Sequence, residues 1–340
     1  MPTSPIFIVG TERSGSNLLR LILNAHPEIT VPHPPHIMAF FAPLERHYGD
    51  LSGEVNFRRL ADDVLRHIRG HIHPWPTPVD RESLVREAVP RDLFGLYAAV
   101  YEQHSAAVGK RRWGCKSTFM IHYTERIFAR YPDAQLLWLV RDPRDVALSS
   151  RDSVFNPYHP YYTARLWASQ QELGLRLAAR LSPANLLRVH YEALIADPRA
   201  TVAGISDFLG IGFDPSMLKF FETEEARVSA SQARDWRNTA SPIISDNANK
   251  FRGRMPAHEI AAVESAAGAT MLKLGYEPVA AEGAGRPPGA LRRACYRAAN
   301  EMLRLRTEYR SVREDRNQWL RWRRRGRIML LTARLKLRLR

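Results

Sequence analysis

Pro5-Ile6-Phe7-Ile8-Val9 is a short apolar run rich in β-branched residues, and a glycine follows it directly. Such a run reads as a strand buried on both faces. The next residues, Gly10-Thr11-Glu12-Arg13-Ser14-Gly15-Ser16-Asn17, are small or polar. Leu18, Leu19, Leu21, Ile22 and Leu23 then set an amphipathic helical pattern that ends near Ala25-His26-Pro27. Strand, small-residue loop and helix in that order leave backbone N–H groups open at a helix N-terminus, where the dipole favours an anion. Ser14 and Ser16 add hydroxyl donors, and Arg13 adds a fixed charge on a planar fork. The bland alternative is an N-cap turn, where serines are common anyway. A phosphate is the expected guest.

Two familiar phosphate loops do not fit. A nucleoside-triphosphate loop reads G-x-x-x-x-G-K-[ST], and here Ser16 stands where the lysine belongs. The dinucleotide fingerprint G-x-G-x-x-G is absent as well. Further apolar runs at Gln135–Val140 and Leu186–His190 read as buried strands, and a helix follows from about Arg144. Three buried strands with helical material beside each predict an α/β fold, a mostly parallel central sheet flanked by helices. The stretch from about 40 to 112 is helical in character and poorly patterned, and it reads as an insertion on the acceptor side of the sheet. Ala200–Leu209 and His258–Leu274 read as helices. Residues 1–281 therefore read as one domain, 282–290 as a Gly/Pro linker, and 291–340 as a basic helical tail.

Charge supports that division. The net charge is +15, and from Glu282 to Arg340 there are 18 Lys/Arg against 5 Asp/Glu, so the first 281 residues are nearly neutral. A basic excess confined to a tail is not the footprint of a nucleic-acid-binding domain, so nucleic acid is not an expected partner. In the tail, Trp319 and Trp322 interleave with Arg321, Arg323, Arg324 and Arg325 before Ile328-Met329-Leu330-Leu331. That suits a helix lying on an anionic membrane surface, although charge runs are more often solvated faces. Cys115 and Cys295 are the only cysteines, so neither a disulfide framework nor a cysteine metal site is expected. With no secretory leader pattern and no long apolar run, the expectation is a cytoplasmic protein, peripheral at the membrane through its tail.

The run from Ile8 to Leu19 resembles the 5′-phosphosulfate loop of sulfotransferases that use 3′-phosphoadenosine 5′-phosphosulfate (PAPS). Leu23-Asn24-Ala25-His26-Pro27-Glu28-Ile29 resembles the usual continuation. Trp113-Gly114-Cys115-Lys116-Ser117 is similar to the family's W-G-x-K-[ST] stretch, and Trp138–Ser149 to its 3′-phosphate motif. His190-Tyr191-Glu192-Ala193-Leu194, with Asp197-Pro198 and Phe208-Leu209-Gly210, is similar to the downstream Y-E-x-L segment. These matches stand in family order over roughly residues 5–277. The resemblance implies PAPS as co-substrate, with basic side chains rather than a metal neutralising it.

Arg13, Ser14, Gly15, Ser16 and Asn17 would then hold the 5′-phosphosulfate. Arg141 ends an apolar strand, where open α/β sheets place ligands, and Ser149 lies about two helical turns on. This pair would hold the 3′-phosphate; the alternative for Arg141 is an ion pair with Asp142 or Asp145. Tyr191 would meet the adenine, or else be a core tyrosine. Lys250–Arg254, with Arg252 at its centre, looks like the late loop that closes over the 3′-phosphate, or else is a solvated basic turn. Sulfuryl transfer needs cations at the leaving oxygen and a base for the acceptor proton. Arg13 and Lys116 are the candidate cations. The family's P-E-S-H stretch appears here as Pro32-His33-Pro34-Pro35-His36, with Pro34 in place of the glutamate. His36 is the first choice of base and His33 the second; with an ordinary histidine pKa, activity would fall on the acid side near 6.5.

The reading is thus a PAPS-dependent sulfotransferase acting on a hydroxyl or amine of a carbohydrate, lipid or small molecule. Two alternatives stay open. One is a nucleotide kinase or NTPase of related fold, opposed by the missing loop lysine. The other is a non-catalytic nucleotide-binding membrane adaptor, favoured by the missing glutamate and the basic tail.

Overall fold

The computed structural model describes residues 4–151, 153, 157–232, 234–280, 287–315 and 317–337. β1 (Ile6–Gly10) leads to α1 (Ser16–Asn24), β2 (Ile29–Thr30) and α2 (Ile37–Phe41). The helices α3 (Glu54–Arg69), α4 (Arg81–Glu87) and α5 (Leu93–Ala107) precede β3 (Arg112–Lys116). Next come α6 (Thr124–Arg130), β4 (Gln135–Val140), α7 (Pro143–Ser150), α8 (Pro160–Ala178), β5 (Leu186–His190), α9 (Tyr191–Ala196) and α10 (Pro198–Leu209). Then follow α11 (Glu224–Gln232), α12 (Phe251–Arg254), α13 (Ala257–Lys273), α14 (Ala290–Glu314) and α15 (Gln318–Leu337).

The sheet order is β2-β3-β1-β4-β5, and every pairing is parallel. The expected parallel sheet is present, with two strands that the apolar-run criterion did not find. β2 has two residues, and β3, Arg112-Trp113-Gly114-Cys115-Lys116, is charged at both ends. β3 is buried nonetheless: Arg112 is satisfied by hydrogen bonds, and Lys116 ends the strand at the cavity. Arg112 donates to the Leu209 carbonyl at 2.8 Å and to Gln135 Oε1 at 2.6 Å.

Strand alternation divides the core between two faces. Phe7, Val9, Leu136, Trp138 and Val140 pack with α3, α5 and α13 on one side. Ile6, Ile8, Leu137 and Leu139 pack with α1 and α10 on the other. The two Asp-Pro pairs start helices: Asp142 caps α7 through the Arg144 N–H and Asp197 caps α10 through the Ala200 N–H, each with proline in the first turn.

With β1 at the centre, the loops after β1, β3 and β4 lie side by side at the C-terminal edge of the sheet. In parallel sheets this is where ligands bind. The linker expectation falls largely on residues 281–286, outside the described residues. The two tail helices lie against the domain. Asn300 Oδ1 in α14 accepts from the Tyr158 and His159 N–H groups, each at 3.0 Å. From α15, Arg334 pairs with Asp63 at 2.8 Å, Arg327 donates to the Gly70 carbonyl at 2.6 Å, and Leu335 is fully buried.

Candidate active site

A cavity of about 650 Å³ opens at this edge of the sheet. Its floor is the turn after β1. There Arg13 has φ 71° and Gly15 φ 91°, left-handed values that fold the chain tightly into α1. At Gly15 a side chain is excluded outright, since a Cβ would lie 2.3 Å from the Tyr191 ring. Glycine at this position therefore lets the tyrosine lie flat against the loop.

The segments that sequence reading assigned to separate phosphates meet here. Arg13 Nε donates to Ser149 Oγ at 3.2 Å. Arg141 Nη1 donates to the Arg13 carbonyl at 3.0 Å and Nη2 to the Asn247 carbonyl at 2.9 Å. Its guanidinium lies 4.3 Å from the Tyr191 ring centroid, and the Tyr191 hydroxyl accepts from Asn247 Nδ2 at 2.6 Å. Neither partner carbonyl cancels the charge of Arg141, and its Nε is buried without a hydrogen bond, while the Asp145 carboxylate lies near enough to feel that charge. The alternative ion pair is not formed with Asp142. That carboxylate pairs with Arg144 at 2.6 Å, and Arg144 also reaches Glu264 at 2.7 Å, clamping α13 to the strand end. The two arginines of this motif thus divide: Arg141 faces the cavity and Arg144 is a structural clamp.

Of the residues singled out from sequence, Arg13, Gly15, Ser16, Asn17, His33, His36, Lys116, Arg141, Ser149 and Tyr191 line the cavity. Ser14 and Arg252 do not. Ser14 is fully buried under the loop with its hydroxyl unbonded. Arg252 is exposed, with its guanidinium 5.3 Å from the Phe251 ring centroid. Lys250 and Arg254 line the cavity instead. They are four residues apart on one helical face, and Arg252, midway between them, turns away.

Electrostatics single out a residue that sequence reading passed over. Glu12 lines the cavity, and burial, offset in part by Lys116 and Arg13, lifts its carboxyl to about 7. Burial likewise draws the Lys116 ammonium down to about 8, with Glu12 the main opposing influence. The available signal was an acidic residue inside a phosphate loop, where it opposes the expected anion. His36 sits at the N-terminus of α2 with φ 55°, and its Nδ1 is 3.2 Å from Ser117 Oγ. Burial, reinforced by the Lys116 charge, holds it well below the ordinary 6.5. Burial thus disfavours the charged imidazole at this position.

The opposite wall is a cluster of histidines. The His33 ring centroid lies 3.8 Å from that of His73 and 6.4 Å from that of His36, and His71 lies 6.3 Å from His36. Trp236 sits 5.1 Å from His33. Gln318, Arg321, Arg324 and Arg325 of α15 complete this side. Arg324 donates to His71 Nε2 at 3.3 Å and lies 5.1 Å from the Phe40 ring centroid. Among the described residues, no group of three or more His, Cys, Asp or Glu is arranged to hold a metal ion.

A model of the sulfotransferase family matches residues 5–215. The chain belongs to the sulfotransferase family. It is 24% identical to protein-tyrosine sulfotransferase A of Caenorhabditis elegans over 299 residues, 81% of this chain and 68% of that one. It is 25% identical to the nodulation protein NoeE of Sinorhizobium fredii over 295 residues, 80% and 65% of the two chains. The chain thus spans about two thirds of the length of these relatives. Among solved structures, the sulfotransferase domain of the curacin biosynthetic pathway shares the fold. The TM-score is 0.56 at 20% identity, covering 82% of this chain and 99% of that one. The sulfotransferase domain of the Synechococcus PCC 7002 olefin synthase gives 0.54 at 23% identity, covering 78% and 94%. The family match ends before α14 and α15, so the α15 wall of the cavity lies outside it.

Proposed function

We propose that this sulfotransferase-family protein moves a sulfuryl group from PAPS to a hydroxyl or amine of an acceptor. The observation that carries the reading is the convergence of Arg13, Lys116, Arg141 and the α1 N-terminus on one cavity, without the lysine an NTPase loop requires. The residues fit the co-substrate. The buried, unpartnered Arg141 Nε is a donor in want of an anion, Ser149 adds a hydroxyl, and Tyr191 offers a ring face beside them.

In the reaction, the base takes the acceptor's proton while its oxygen or nitrogen bonds to sulfur. The bond between sulfur and the bridging oxygen breaks, and its electron pair leaves on 3′-phosphoadenosine 5′-phosphate. Arg13 and Lys116 would neutralise the charge that grows on that oxygen. His36 would serve as base, neutral and therefore able to accept. Glu12, at about 7, is the second candidate, favoured by a pKa close to working pH. The acceptor, a carbohydrate, lipid or small molecule, would enter along the histidine wall under α15.

The same helix supports peripheral attachment to an anionic bilayer. Trp319, Trp322, Met329 and Leu330 are exposed on its outer face, and no acidic residue occurs between Gln318 and Leu337. Incubation with 35S-labelled PAPS, and separately with γ-32P-labelled ATP, tests the transfer reading. Retention of PAPS with release of label to an acceptor pool supports it, and transfer from ATP alone would overturn it. PAPS binding without release under an acceptor screen would favour a binding protein.

A further inference from the structure

α14 rests on the domain by one face only. Tyr296 stacks near His159 at 4.4 Å between ring centroids, Asn300 bonds the backbone at 158 and 159, and Thr307 is buried. The opposite face carries Leu291, Cys295, Ala298, Met302, Leu305, Tyr309 and Val312, all exposed. Leu291 is 81% exposed, Met302 66% and Tyr309 64%. The steps between these positions alternate four and three residues without a break. That is a heptad seam, with Cys295, Met302 and Tyr309 at a and Leu291, Ala298, Leu305 and Val312 at d. It runs for about 30 Å along the helix. A stripe this narrow, flanked by charges of both signs, differs from the broad, purely basic outer face of α15, and it does not suit a bilayer.

We infer that α14 pairs with α14 of a second copy of this chain as a parallel, in-register two-stranded coiled coil. The flanking charges choose this partner and this direction. In a parallel pair a g residue faces the e residue five positions on in the partner helix. Here Glu301, which meets Arg304 at 2.8 Å in its own helix, would face Arg306, and Glu308, which meets Arg304 at 3.4 Å and Arg325 of α15 at 3.9 Å, would face Arg313, opposite charges both times. An antiparallel pair would set g against g and e against e, Glu against Glu and Arg against Arg. The helix is already formed and anchored on the domain, so association does not have to pay for ordering it, which is why three heptads suffice. In this register Cys295 faces Cys295 of the second copy, and Cys115, the other cysteine, is buried. The inference does not depend on the transfer reaction; it rests on α14 alone.

The test uses the full chain. Sedimentation equilibrium at micromolar concentration should show a dimer. Diamide, which takes up the two thiol hydrogens, should join the copies through a Cys295 disulfide, and Cys295→Ser should abolish the cross-link while leaving the dimer. Leu305→Asp should raise the dimer dissociation constant by roughly a hundredfold, because it would bring two carboxylates, one from each copy, face to face in the seam without a counter-charge. Glu301→Arg should weaken the dimer, and Arg306→Glu added to it should restore it, a recovery that mere helix damage would not give. Circular dichroism confirms that each variant is folded. A monomer at high micromolar concentration would overturn the proposal, as would a dimer indifferent to Leu305→Asp. A dimer that diamide leaves uncross-linked would overturn the parallel register. Loss of vesicle binding in Leu305→Asp, with no dimer in the wild type, would assign the seam to a membrane instead.

Discussion

Arg13 and Ser149 are 136 residues apart in sequence and share a hydrogen bond of 3.2 Å across the cavity floor. The bond ties the turn after β1 to the second turn of α7, the two segments proposed to bind the anions. Arg141 braces the same junction through the Arg13 carbonyl.

Arg141→Ala should remove most of the preference for 3′-phosphoadenosine 5′-phosphate over AMP. A hydrogen bond to a charged group contributes about 1.5–3 kcal/mol, so the loss should be roughly tenfold to a hundredfold. Calorimetric titration with both nucleotides checks this, and equal affinities in the wild type would refute the assigned 3′-phosphate site.

Arg13→Ala and Lys116→Ala should lower kcat more than donor affinity. The charge they would meet grows only toward the transition state, so their contribution concentrates there. A variant with weaker PAPS binding and unchanged kcat would make that side chain a binding group.

Gly15→Ala should cost about 1–3 kcal/mol of stability through the left-handed backbone and displace Tyr191, whose ring occupies the space of the new methyl. Nucleotide affinity should fall with it. Thermal denaturation with and without nucleotide reads both effects; unchanged affinity would mean that Tyr191 does not contact the nucleotide.

His36→Ala should reduce kcat by about 10²–10⁴-fold while donor binding stays near wild type. The acid limb of kcat/KM in the wild type should lie well below 6.5, because burial disfavours the charged imidazole. A limb near 7 that disappears in Glu12→Gln would assign the proton to Glu12 instead.

Stability should drop on acidification. Burial lowers His67 to about 4 and His71 to about 3, and it lowers His33 as well. Between those values and 6.5 the unfolded chain binds protons that the folded chain refuses. The stability these groups contribute is therefore complete above 6.5 and is lost as pH falls toward the folded values. His33 has no hydrogen bond at either ring nitrogen, so His33→Phe should raise Tm at pH 5 by about 2–4 °C relative to its effect at pH 8. An equal shift at both pH values would show that His33 does not take part in the acid response.

The sheet was legible where strands are apolar runs, as at Ile6–Gly10 and Gln135–Val140; β5 was found as a strand but is not the buried one expected, since it lies at the sheet edge with Arg188 exposed and only Val189 buried. β3 escaped because its ends are charged and Arg112 is buried through partners distant in sequence, which composition does not reveal. That Arg13, Lys116, Arg141 and Tyr191 belong together was legible because they sit in short contiguous motifs, and they do line one cavity. Glu12 lay within such a motif, yet its character comes from burial rather than from its neighbours in the chain. The opposite wall was not legible. His71 and His73 lie in the poorly patterned 40–112 stretch, and Arg321 and Arg324 lie in a tail whose charge suggested a solvated or membrane-bound face. They meet His33 and His36 only because α15 folds back over α3.

The placement of α15 also sets an order of assembly during synthesis. The turn after β1, β3, β4, α7 and Tyr191 are all in place once roughly the first two hundred residues have left the ribosome. The wall that Arg321, Arg324 and Arg325 supply arrives with the last stretch of the described chain. A translation product that stops after α13 would keep the parallel sheet and the turn after β1 but lack the α15 wall of the cavity. Under the proposed reading, such a fragment would retain the nucleotide and differ from the intact protein in its choice of acceptor.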